Sequence, residues 1–155
     1  MSDFTVRTAT EDEWEDAMGL AYRTFRKFVE KDYPKEGVEN FVDFISDPHL
    51  FRMFQMGEYH LWVAESSGGD IVGMGSLRSG SHISLLFVED KWQLSGVGRR
   101  LMEEMESFVK GSGFGYITVN ASPYGIPFYH RLGFEDLGGM VLNGGMYVTP
   151  MKKDL

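Results

Sequence analysis

One stretch, Ile83 to Met105 (ISLLFVEDKWQLSGVGRRLMEEM), constrains the fold more than any other part of the chain. An apolar run from Ile83 to Val88 ends in a charged turn. The segment Gln93-Leu94-Ser95-Gly96-Val97-Gly98 follows, and then an amphipathic helix with Arg99 and Arg100 in its first turn. This is strand, glycine loop, helix. A helix start presents backbone N–H groups that lack an intrahelical acceptor, together with the positive end of the helix dipole, so it can hold an anion without a lysine. Glycines there let the backbone approach the ligand closely. A phosphate-bearing ligand at residues 95–100 is the first expectation.

The rest of the composition narrows the setting. A chain of 155 residues, 43% hydrophobic and 25% charged, suits one globular domain with a sizeable core. It contains no apolar run near the roughly 20 residues of a membrane span. The acidic start MSDFTVRTATEDEWED lacks the layout of a signal peptide. With no cysteine there can be no disulfide, zinc thiolate or cysteine nucleophile, and a cytoplasmic location is expected. Fifteen basic against 23 acidic residues give a net charge of −8, which disfavours nucleic acid and mildly favours a cationic small molecule.

Read in order, Phe4–Thr8 alternates like a strand, and Thr10-x-x-Glu13 has the form of a capping box. The helix it opens is expected to run to about Glu30, with a second over Lys35–Ile45 and a short helical turn from Pro48 through Met56. These segments are rich in aromatic residues, among them Tyr22, Phe25, Phe28, Tyr33, Phe41, Phe44 and Phe54; they pack on a sheet, or some of them line an apolar acceptor pocket. Strands are expected at Tyr59–Glu65 and Ile71–Leu77, joined as a hairpin. His82–Val88 is expected as a central strand buried on both faces. The helix Gly96–Lys110 precedes a strand at Phe114–Asn120, a short helix at Pro123–Leu132 and strands near Phe134–Leu137 and Gly145–Met151. The order βααβββαβαββ describes an α/β or α+β domain.

With these elements placed, the chain resembles the GNAT superfamily of acyl-CoA-dependent N-acyltransferases. Four features carry the resemblance. Leu86-Phe87-Val88 closes a strand. Trp92 precedes Gln93-Leu94-Ser95-Gly96-Val97-Gly98, similar to the family's Gln/Arg-x-x-Gly-x-Gly/Ala pyrophosphate signature. A strand ends in Asn120. Phe128-Tyr129-His130-Arg131-Leu132-Gly133-Phe134 is similar to its Phe-Tyr-x-x-x-Gly-Phe segment. The resemblance covers about Tyr59–Met151. Asp90 stands where proline is common, and Ser-Pro-Tyr-Gly after Ala121 is an insert.

The resemblance implies a mixed, mostly antiparallel sheet flanked by helices, with splayed central parallel strands. It implies one acyltransferase domain over 1–155, with acceptor-side helices in 1–57 and the CoA-binding core in 59–151. Acetyl-CoA would lie between the strands ending at Val88 and Asn120. Backbone groups of Leu86, Phe87 and Val88 would pair with the pantetheine arm, one N–H polarising the thioester carbonyl. Gln93, Leu94, Ser95, Gly96, Val97, Gly98 and Arg99 would hold the pyrophosphate, with Asn120 and Phe128 completing the cofactor contacts. Arg99 and Arg100 are phosphate partners or plain helix-surface residues.

For the chemistry, the resemblance puts the general acid at Tyr129. Counting 11 residues back from Gln93, as in histone acetyltransferase members, puts the candidate base at His82, with Ser84 able to order a water. His82 read by itself could equally be a strand-end residue bonded to a turn. The implied reaction is direct attack of a primary amine, of a small molecule or peptide, on the thioester in a ternary complex. A non-catalytic acyl-CoA-binding module of the same fold is the alternative. A Rossmann-type dinucleotide site would need more glycines, earlier in the chain. No metal site is expected, since the four histidines show no ligand spacing. Relatives commonly pair through their late strands, which makes Phe134–Met151 a candidate homodimer interface.

Overall fold

The computed structural model describes residues 3–155; Met1 and Ser2, inside the expected 1–155 unit, lie outside the described residues. The elements run β1 (Phe4–Thr8), α1 (Trp14–Phe28), α2 (Lys35–Ile45), α3 (Pro48–Gln55), β2 (His60–Ser66), β3 (Ile71–Arg78) and β4 (His82–Val88). They continue with α4 (Val97–Gly111), β5 (Tyr116–Ala121), α5 (Ile126–Arg131), β6 (Glu135–Asp136), β7 (Val141–Asn143) and β8 (Met146–Asp154). The sheet order is β1-β2-β3-β4-β5-β8-β6, with β7 paired to β8. Among the described residues only β4 and β5 pair in parallel; the other ladders are antiparallel. This is the expected mixed, mostly antiparallel sheet with a central parallel pair.

Local chemistry explains the element boundaries. The Thr10 N–H donates to Glu13 Oε1 at 2.9 Å, closing the capping box ahead of α1. Arg7 on β1 grips the same carboxylate at 2.6 Å and Glu65 at 2.9 Å, which holds Glu13 down at about 2. The turn foreseen after Asp47 is a full helix, α3. Asp47 accepts from the His49 N–H at 2.9 Å, and Pro48 occupies the first turn, where its missing N–H costs nothing.

Two apolar layers enclose the sheet. On one side α4 brings Val97, Leu101 and Met105 onto Leu77, Ile83 and Ile117. On the other, α1–α3 bring Leu20, Phe25 and Leu50 onto Tyr59, Val63 and Leu85. The strand buried on both faces is β3, from Val72 to Leu77, rather than β4 as expected. Its glycines explain how α4 comes so close. A Cβ at Gly73 would stand 2.7 Å from Val97 Cγ1, and one at Gly75 3.0 Å from Met105 Cε. On β4, by contrast, Leu86–Val88 remain only half-buried, because the strand opens onto a gap.

That gap has a definite origin. Strand β4 meets β5 at two positions, His82 opposite Thr118 and Ile83 opposite Val119, and then they part. On the β3 side, Leu77 faces Ile83 but Ser76 faces Leu85, so Ser84 is the extra residue of a bulge. A bulge bends its strand and raises the local twist, and this one lies at the point of divergence. From Leu85 to Val88, β4 keeps β3 along one edge and has no strand along the other.

The late strands also depart from expectation. β7 was not foreseen, and β8 reaches Asp154 rather than Met151. They form a hairpin across Gly144 and Gly145, at φ +60° and +79°, values only a glycine-rich turn accepts readily. This turn lies against α2. A Cβ at Gly37 would come within 2.2 Å of the Gly145 carbonyl oxygen, and Asn40 Nδ2 donates to the Gly144 carbonyl at 2.6 Å. The two backbones touch, and they roof one side of the gap.

Candidate active site

The gap between β4 and β5 continues into a cavity of about 900 Å³, within the range of small-molecule sites. Leu86, Phe87, Val88, Gln93, Leu94, Gly96, Gly98, Arg99, Asn120, Phe128, Tyr129 and His82 line it. Of the expected site residues, Ser95 and Val97 are the two that do not. Ser95 Oγ donates to the Trp92 carbonyl, and the Val97 side chain is fully buried in the core beneath the loop. Either could reach a ligand only through its backbone.

The phosphate end is built from backbone. The first hydrogen bond of α4 runs from the Arg100 N–H to the Gly96 carbonyl at 3.0 Å. The six N–H groups of residues 94–99 make no well-aligned backbone hydrogen bond among the described residues. Positive φ at Leu94 (+64°) and Gly96 (+92°) curls this run into a nest. Leu94 adopts that unfavoured conformation with its side chain 98% exposed, so packing does not impose it. The two signature glycines serve different ends. Gly96 supplies a left-handed φ in open space, whereas a Cβ at Gly98 would stand 2.9 Å from the Phe128 ring.

Gln93 turns out to be a clamp. Its Nε2 donates to the Val88 carbonyl at 3.1 Å and its Oε1 accepts from the Tyr124 hydroxyl at 2.7 Å. The Ser122–Gly125 insert therefore arches from β5 to the glycine loop, and Tyr124 also stacks on Phe28 at 5.1 Å. The two arginines separate cleanly. Arg100 pairs with Glu103 and Glu104 on the helix surface, while Arg99 lines the cavity. Asp90, the departure from the family pattern, receives Lys27 of α1, and Glu89 receives Arg23 at 3.2 Å. These pairs tie the N-terminal helices to the loop.

At the apex, His82 Nδ1 lies 2.8 Å from Thr118 Oγ1. Burial, reinforced by the nearby Arg78 cation, pushes the imidazole down to about 4, so His82 is neutral at physiological pH. If Nδ1–H donates to Thr118, Nε2 keeps its lone pair. Ser84 is less free than expected, since the Tyr59 hydroxyl bonds it at 3.0 Å and Ser76 at 2.6 Å. Tyr129 is 7% exposed and makes edge contacts with Phe128 and Phe134. Its hydroxyl has no protein partner among the described residues, yet it is not fully sealed. Burial drives its pKa far above that of a free phenol, so the hydroxyl keeps its proton.

The other wall is supplied by Phe25, Tyr33, Phe41, Phe44 and Met146. Phe25 and Phe41 stack at 3.9 Å, with Phe87 edge-on to Phe41 at 5.9 Å. Of the aromatic residues in the N-terminal helices, Trp14, Tyr22, Phe28, Phe51 and Phe54 are not part of the lining. Sequence reasoning missed Arg78, Asn40 and the Asn143-Gly144 turn. For the turn a signal existed, because Asn-Gly between apolar residues marks a hairpin.

Comparison with known proteins agrees with this geometry. The family described as acetyltransferase (GNAT) domain matches residues 29–155, reaching into the N-terminal helices beyond the Tyr59–Met151 span of the motifs. A GCN5-related N-acetyltransferase from Rhodopseudomonas palustris is 23% identical, with a TM-score of 0.84 over 100% of this chain and 98% of its own. PaiA N-acetyltransferase from Thermoplasma acidophilum, solved with coenzyme A, is 15% identical, with a TM-score of 0.81 over 99% of each chain. A GNAT superfamily phosphinothricin acetyltransferase from Sinorhizobium meliloti, solved with AcCoA, is 17% identical, with a TM-score of 0.71 over 98% of this chain and 88% of its own. With the split β4–β5 pair, the glycine nest and a family match over most of its length, the chain belongs to the GNAT acetyltransferase family.

Proposed function

We propose that this protein transfers an acetyl group from acetyl-CoA to a primary amine by direct attack in a ternary complex. The observation that carries the reading is one continuous surface. A nest whose six N–H groups lack a well-aligned backbone acceptor among the described residues opens onto the unpaired edge of β4, and that edge leads to a protonated, unpartnered tyrosine. These residues fit the cofactor. The nest and Arg99 suit a pyrophosphate, and the free edge of Leu86–Val88 suits an amide-containing arm. When bound, acetyl-CoA supplies the activated thioester. Residues 59–151 would form the cofactor core and 1–57 the acceptor side of one acyltransferase unit. Exposed Leu137, Met140, Leu142 and Tyr147 support a homodimer through the late strands. Among the described residues no helix is long and apolar enough to cross a membrane.

The roles follow from position. A β4 N–H would receive the developing charge of the thioester oxygen. The Tyr129 hydroxyl would donate to the departing sulfur. A phenol with a raised pKa is a poor acid in water, but a thiolate formed in the same dry place is raised too, which keeps donation feasible. His82 would hold the attacking amine through its Nε2 lone pair.

Titrating acetyl-CoA against the fluorescence of Trp92, which lines the cavity, should give saturable binding, and an amine panel should release free thiol. Absence of acetyl-CoA binding would sink the proposal. Saturable binding without thiol release would favour the acyl-CoA-binding alternative. The pH dependence gives a further check. With His82 held at about 4 by burial and Arg78, its acceptor form is complete well above that value. Between pH 5 and 8, kcat/KM should rise only with deprotonation of the amine, without an inflection near ~6.5. Such an inflection, abolished in H82Q, would contradict the assignment.

A further inference from the structure

The protein carries a net charge of −8, yet among the described residues no aspartate or glutamate lines the cavity. The charged residues on its wall are Arg78, Arg99 and Arg131. The negative surface therefore does not extend to the place where the acceptor would react, and a purely cationic amine would find no counter-ion there.

Arg78 and Arg99 belong to opposite ends of β4. Arg78 is the last residue of β3, directly across the ladder from His82, whereas Gly73 faces Val88 beside the glycine loop. Six residues of extended strand, about 20 Å, separate those ends. Arg78 makes no ion pair or side-chain hydrogen bond among the described residues, while Arg7, Arg23, Arg26 and Arg100 each hold a carboxylate. Residues directly opposite in an antiparallel pair project to the same face, so Arg78 and His82 share one face at the apex. The depressed His82 is consistent with that proximity.

Arg78 is exposed to solvent at the strand end and contributes to the lining of a cavity without acids; a guanidinium so placed is suited to a planar anion, which it can engage with two parallel N–H donors. Elsewhere the wall of the same cavity carries apolar side chains, among them Phe41, Phe44, Leu85 and Met146. We propose that the acceptor is an amine bearing a carboxylate a few bonds from its nitrogen and an apolar body, as in an apolar amino acid, and that Arg78 binds the carboxylate. This rests on the acetyl-transfer reading above and names its substrate class. The transfer balances: the ammonium gives one proton to solvent before attack, the N–C bond to the acetyl carbon forms, the C–S bond breaks, Tyr129 donates a proton to the sulfur, and the second proton lost by the nitrogen leaves through solvent, from which Tyr129 is reprotonated.

The test compares matched acceptors on the full-length protein with acetyl-CoA, following thiol release: leucine and phenylalanine, their C-terminal amides, and a polyamine. The free acids should exceed their amides about 30-fold in kcat/KM, the discrimination expected of a charge-assisted bidentate contact. The polyamine should be poorest. R78Q should bring the acid-to-amide ratio to within about threefold by raising KM for the acid, and R78K should retain an intermediate ratio. Amides or polyamine matching or exceeding the acids in wild-type protein would overturn the proposal, whether or not R78Q folds. So would acetyl-CoA binding with transfer to none of these amines, which leaves the cofactor reading standing. Failure to bind acetyl-CoA removes both.

Discussion

Replacing Tyr129 by phenylalanine should lower kcat by about 10²–10³-fold while leaving the acetyl-CoA Kd within about threefold. The substitution removes one atom. The ring keeps its edge contacts with Phe128 and Phe134, at 5.3 Å each, so packing and fold are retained. The lost hydroxyl makes no protein hydrogen bond among the described residues, so no buried partner is orphaned. What disappears is the proton donor beside the departing sulfur. Because burial holds the phenol protonated throughout the usual pH range, wild type and Y129F should differ by a constant factor from pH 6 to 9. Pre-steady-state thiol release together with acetyl-CoA titration separates the two quantities. Equal losses in turnover and affinity would assign Tyr129 to cofactor packing instead.

The second large effect is expected at the glycine loop. G98V should weaken acetyl-CoA binding by about 100-fold or more, because even a bare Cβ meets the Phe128 ring at 2.9 and 3.1 Å. Branched methyls would push either Phe128 from the cavity wall or the first turn of α4 from its place, and both bear on the proposed ligand. At Gly96 a Cβ meets nothing within 4 Å. The cost there is conformational, about 1 kcal/mol for forcing a side chain to φ +92°. G96A should therefore lose only about fivefold in affinity. Calorimetric titration of the two variants, with thermal melts to confirm folding, gives the comparison. G96A losing as much as G98V would mean that loop conformation dominates over the contact with Phe128.

The parts legible in the sequence are those set by short-range rules. Thr10-x-x-Glu13, Asp47-Pro48 and Gly96-x-Gly98 name their own local geometry, and the structure has a capping box, an N-cap and a left-handed turn at those places. The burial of β4 is not legible in the sequence because Ile83–Val88 is apolar at every position but Ser84. An apolar run does not tell whether its second face meets a helix or an open cleft. The bulge at Ser84 depends on where β3 sits in register, which composition cannot specify. Arg78 went unnoticed for a similar reason. A lone arginine at a strand end looks like a solvated charge until the ladder puts it opposite His82. Gln93 matched a family pattern, but its engagement by Tyr124 comes from an insert outside that pattern.

The two-position seam between β4 and β5 also bears on how the molecule would respond to force and heat. To one side stand β1–β4 with α1–α4. To the other stand β5–β8 with α5. The backbone ladder across the middle amounts to the meeting of His82–Ile83 with Thr118–Val119. Core residues beneath, the Tyr124 arch above, the contact of α2 with the β7–β8 turn and the Lys153–Glu106 ion pair carry the remainder of the joint. Under the proposed function, an occupant of the gap would act as an additional strand, cross-linking two half-sheets that the polypeptide itself barely stitches together. Substrate loading would then be a mechanical event as well as a chemical one, and amide exchange along Leu85–Val88 should slow when the gap fills.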